Sequence, residues 1–112
     1  MLKKSNKEVV CADGFSMSVQ AAAHVYSHPR EDNCERYTQV EIGFPSAEES
    51  LLMPYVEDPN HPTETVYGYV PVGIVTVVIA KHGGMVSGEL PTGIPILRAE
   101  NFNKKQKFLE KQ

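Results

Sequence analysis

Apolar and polar residues alternate with period two over residues 15–21, the pattern of a strand buried on one face. Phe15, Met17, Val19 and Ala21 are its inward set. The tight-turn pair Asp13-Gly14 stands just before it, so residues 9–12 and 15–21 read as a hairpin. A second alternating run places Val40, Ile42 and Phe44 on one face and Gln39, Glu41 and Gly43 on the other. A third, residues 63–70, sets Thr65, Tyr67 and Tyr69 against Val66, Gly68 and Val70. Met85 and Val86 begin a last short strand.

Two segments read as helices. Pro45 ends the second strand, and Ser46 with Glu49 three residues on has the form of a capping box, in which each side chain satisfies a free N–H at a helix start. Leu51 and Leu52 supply a buried side and Pro54 a stop, which predicts a short helix over 46–53. Residues 71–82 satisfy two patterns. Their β-branched content (Val72, Ile74, Val75, Val77, Val78, Ile79) suits a buried strand. Their ends suit a helix: Pro71 fits the first turn, Lys81 and His82 the last, and Gly83 a left-handed cap. Val72, Val75, Ile79 and His82 also share one stripe, and the terminal signals decide for a helix over 71–82. The sum is an α+β fold: a mostly antiparallel sheet of about four strands, one short helix and one longer one. Residues 1–8 read as a flexible leader, 9–98 as a single domain, and 99–112 as a lysine-rich tail.

Composition adds little to this picture. The 112 residues are 41% hydrophobic and 22% charged, values of an ordinary globular chain. The longest apolar stretch, residues 70–80, is interrupted by Pro71, Gly73 and Thr76 and falls short of the ~20 residues a spanning helix needs. No apolar signal region follows the polar start, so the expected setting is the cytoplasm, with Cys11 and Cys34 as reduced thiols.

Charge changes the picture more. Residues 9–97 hold three basic residues against eleven carboxylates, a body of −8, whereas the two ends together carry +5. Such a body disfavours direct nucleic-acid binding and favours basic partners, although modest net charge also serves solubility alone. Glu31, Asp32, Glu57 and Asp58, in two exposed loops, are the candidate partner-binding acids. The apolar 72–79 segment is richer than one small core requires, which makes a homodimer an expectation.

For chemistry, Cys11, His24, His28 and Cys34 are the candidate zinc ligands, since thiolate and imidazole are what zinc prefers. The ligands stand singly and lack the paired spacing of a CxxC site; two semi-buried thiols and two surface histidines are the competing reading. A cysteine nucleophile paired with a histidine and Asp13 or Asp32, in a small enzyme with its site near the 24–34 loop, is a further alternative. Glu31, Asp32 and Glu35 would raise the pKa of Cys34 and blunt it. His82-Gly83-Gly84 reads as a helix ending, and Tyr67 and Tyr69 as core or as a stacking platform.

Four segments, residues 12–21, 37–46, 65–71 and 81–84, resemble small proteins of unassigned function encoded by tailed bacteriophages and prophages. The resemblance implies a viral origin and the bacterial host cytoplasm, and carries over no catalytic residue. Together with the acidic body it gives the leading expectation: a non-enzymatic accessory factor that binds a host or phage protein. One version is an inhibitor of a nucleic-acid-binding host enzyme, its carboxylates standing in for phosphates.

Overall fold

The computed structural model describes residues 5–100. The alternation at the start of the chain yields strands β1 (Val9–Cys11) and β2 (Ser16–Gln20), joined by the expected Asp13-Gly14 turn, with Val9 opposite Met17. The Asp13 carboxylate accepts the Phe15 N–H at 2.9 Å, and the Gly14 N–H donates to the Cys11 carbonyl, which closes the turn. Phe15, Met17, Val19 and Ala21 are all buried, as their spacing predicts.

β3 (Gln39–Gly43) and β4 (Val66–Pro71) follow, then helix α1 (Val72–Lys81) and strand β5 (Met85–Ser87). The strands form one antiparallel sheet in the order β4-β3-β2-β1-β5. β5 thus returns past the helix to the edge beside β1, and the sheet has five strands rather than about four. Tyr67, Met17, Ile42, Leu52 and Ile79 are the largest side chains wholly removed from water.

The expected helix forms over Val72–Lys81, with Pro71 one position outside it as the N-cap rather than at its first position and His82 as the C-cap. Its far end is a Schellman closure: the Gly83 N–H donates to the Ala80 carbonyl and the Gly84 N–H to that of Ile79. Gly83 sits at φ +90°, a conformation that costs a β-carbon-bearing residue dearly. Val75, Val78 and Ile79 form the buried stripe.

The short helix over 46–53 does not form; among the described residues only a 3-10 turn, Met53–Tyr55, stands in that region. Both halves of the capping box are engaged elsewhere. Ser46 exchanges bonds with Ser16, its Oγ accepting the Ser16 N–H and its own N–H donating to the Ser16 carbonyl. Glu49 turns inward instead of back to the chain behind it.

Two further departures share one cause, backbone at positive φ. Phe44 (φ +49°) swings out of the face of Val40 and Ile42 and is 56% exposed. In β4 the register shifts between Val40↔Val70 and Ile42↔Tyr67, so Gly68 and Tyr69 together oppose Glu41. This bulge, with Tyr69 at φ +53°, parts the expected Tyr67–Tyr69 face: Tyr67 is core and Tyr69 is exposed.

Asn6 and Lys7, expected in a leader, are tied to the fold: Asn6 exchanges hydrogen bonds with Gln20, and the Lys7 N–H donates to Glu89. Residues 1–4 of that leader, and 101–112 of the expected lysine-rich tail, lie outside the described residues. No described helix is long and apolar enough to cross a membrane.

Candidate functional site

Four titratable side chains, Asp13, Glu49, Lys81 and His82, gather where α1 ends. The Schellman turn sets His82 beside the β1–β2 turn, and its ring stacks on Phe15 with centroids 4.1 Å apart and planes 12° from parallel. His82 Nδ1 lies 2.6 Å from Asp13 Oδ2, and Nε2 lies 2.7 Å from Glu49 Oε1. The other Glu49 oxygen, Oε2, accepts from Lys81 Nζ at 3.0 Å and from the Leu51 N–H at 2.9 Å. Glu49 is 2% exposed.

A carboxylate at each ring nitrogen favours the imidazolium form, in which both nitrogens donate. Burial works against that charge, but the hydrogen bonds and charges of Asp13 and Glu49 outweigh it and raise the His82 pKa. Burial likewise opposes ionisation of Glu49; the Leu51 N–H, His82 and Lys81 overcome it and lower its pKa. The Phe15 N–H, then His82, lower that of Asp13. Both ring nitrogens of His82 are thus engaged by carboxylates. The effect is to pin the end of α1 to the β1–β2 turn and to the 46–52 loop. Sequence spacing could not reveal it, since Asp13 reads as a turn residue, Glu49 as a cap and His82 as a helix ending.

The residues singled out for zinc do not converge. Cys11 shares the inward face of β1 with Val9, is 1% exposed, and has its thiol pKa pushed up to about 11 by burial and by Asp13. His24 and His28 are exposed on the irregular 21–38 loop. Cys34 is half-buried, its thiol donating to the Arg36 carbonyl at 3.3 Å. Among the described residues no three His, Cys, Asp or Glu side chains are grouped to hold a metal ion. Cys34 lines one recess with Tyr37 and Thr92 and His24 another with Gln20 and Val25, and the two recesses share Asn6 and Ala21.

Of the candidate partner-binding acids, two serve their own loops. Asp32 accepts the Ala23 N–H at 3.0 Å, and Asp58 accepts the Asn60 N–H and faces His61. His61, then the Asn60 N–H, lower the Asp58 pKa. Glu31 is exposed on the 21–38 loop. Glu57, also exposed, lines a shallow, open cleft of about 420 Å³ with Tyr26, Pro54, Tyr55, Gly68 and Tyr69.

That cleft is a product of the β4 bulge. Tyr69, turned outward at φ +53°, donates its N–H to the Tyr26 carbonyl at 3.0 Å, and the Tyr26 N–H in turn donates to Glu41. The two rings meet at 5.8 Å with a 43° tilt, and they are 41% and 43% exposed. Gly68 admits Tyr26, because a β-carbon there would stand 3.3 Å from the Tyr26 Cβ. No protein-family model, curated protein or solved structure matches this chain.

Proposed function

We propose that this chain is a small, non-enzymatic protein-binding factor of the kind tailed bacteriophages encode, acting on a host or phage protein through an acidic surface. The observation that supports this best is the cleft: exposed tyrosines, fixed by backbone hydrogen bonds on a sheet edge, stand beside Glu57 on a body of net charge −8. Aromatic rings of low conformational entropy are the residues that carry binding energy at protein interfaces, and flanking charge steers a partner of opposite sign.

The reading is tested by affinity purification of the tagged chain from infected or lysogenic bacteria, beside a Glu57→Lys, Asp58→Lys variant. One stoichiometric protein is expected with the parent chain and not with the variant. Equal recovery by both, or recovery of the chain alone, refutes it.

A further inference from the structure

We infer that the tyrosine cleft takes an extended, proline-containing segment of a partner protein with a lysine or arginine beside the prolines, an inference that rests on the protein-binding reading above. The first support is an asymmetry among the five tyrosines. Tyr37 and Tyr67 donate their hydroxyls to backbone carbonyls, of Glu31 at 2.7 Å and Pro62 at 2.5 Å. The hydroxyls of Tyr26, Tyr55 and Tyr69 make no hydrogen bond among the described residues, and these three are the tyrosines that line the cleft. A polyproline-type segment has no internal hydrogen bonds and presents bare carbonyls. Free phenol donors beside ring faces meet both needs of such a segment: its pyrrolidine rings stack and its carbonyls accept.

The backbone narrows the mode of binding. Strand addition to β4 is closed here, because Val56 already bridges Tyr67 and the Tyr26 carbonyl takes the Tyr69 N–H. Recognition at this edge therefore falls to side chains. A bulky residue at positive φ is an uncommon cost, and at Tyr69 it places a ring in the cleft rather than in the core. Charge sets the flank: Glu57 lines the cleft and Glu41 lies behind Tyr26. The guanidinium of Arg30 already covers one face of the Tyr26 ring, 5.3 Å from its centroid, so a partner's cation is left to Glu57.

The experiment is a ¹⁵N NMR titration of the full chain with three short synthetic peptides: proline-rich with flanking arginines, the same with alanine for proline, and the same with glutamine for arginine. The parent peptide is expected to shift the Val56, Gly68 and Tyr69 amides, and each substituted peptide to bind more weakly. Tyr69→Gly, which removes the ring while suiting the left-handed backbone, should weaken binding by roughly tenfold or more. Tyr26→Phe keeps the ring and the fold, and should weaken binding less. Equal binding of the alanine peptide overturns the inference, as do shifts that map elsewhere or concentration-dependent shifts of these amides without peptide, which would name a second copy as the occupant. If no peptide binds while the charge-reversed variant still loses its cellular partner, this inference falls and the protein-binding reading stands.

Discussion

His82 shows how one side chain can serve as a joint. Replacing it by Gln leaves Glu49 buried with Lys81 and the Leu51 N–H but without its imidazolium partner, so a loss of about 1–3 kcal/mol is expected near pH 6. The pH dependence has a definite sign. Below its ordinary value of 6.5, His82 is protonated whether the chain is folded or not, and its contribution is fully present; as pH rises through the higher folded value, that contribution is lost. Asp13 and Glu49 act in the opposite sense: their contribution is full above the ordinary 3.8 and 4.5, and is lost as pH falls through their lower folded values. The urea midpoint should therefore peak between about pH 4.5 and 6.5, and in His82→Gln the decline on the alkaline side should flatten. A second residue-scale prediction concerns the thiols. With Cys11 buried and its pKa at about 11, Cys34 should be titrated by a disulfide reagent in the native protein, and Cys11 only after denaturant is added.

At the scale of elements, the end of α1 carries the sharpest expectation. Gly83→Ala must hold a β-carbon at φ +90° and 3.0 Å from the Ala12 Cβ, which should cost roughly 1–2 kcal/mol. Gly84→Ala meets the backbone of Arg98 and Ala99 at 2.8–3.0 Å and should cost more, a ranking that chemical denaturation of the two variants decides. Elements whose signals are local were legible in the sequence: the hairpin from its alternation and its Asp13-Gly14 turn, and the helix from Pro71 and Gly83. Elements decided by distant partners were not. Ser46 and Glu49 spell a cap, but Ser16 and His82 claim them, and no window of the chain shows that competition. The β4 bulge is likewise invisible to period-two reading, because Tyr69 leaves the pattern through its own φ. Hence the tyrosine cleft was hidden, while Glu57 at its margin was picked out by charge.

For the molecule as a whole, charge is the lever. If the proposed basic partner is captured through the −8 body, that binding should weaken as salt rises past the ionic strength at which the screening length drops below ~10 Å. Binding measured in low and in roughly physiological salt should show this, whereas a purely apolar contact would hold or tighten.

The doubly held imidazole also makes folding a proton-uptake reaction. At a pH between the ordinary 6.5 and the folded value, the native chain carries a proton that the unfolded chain gives to the buffer. Calorimetric unfolding should therefore absorb less heat in a buffer with a large ionisation enthalpy than in one where it is small. His82→Gln should erase most of that difference, so the heat of melting itself counts the proton that closes the Asp13–His82–Glu49 joint.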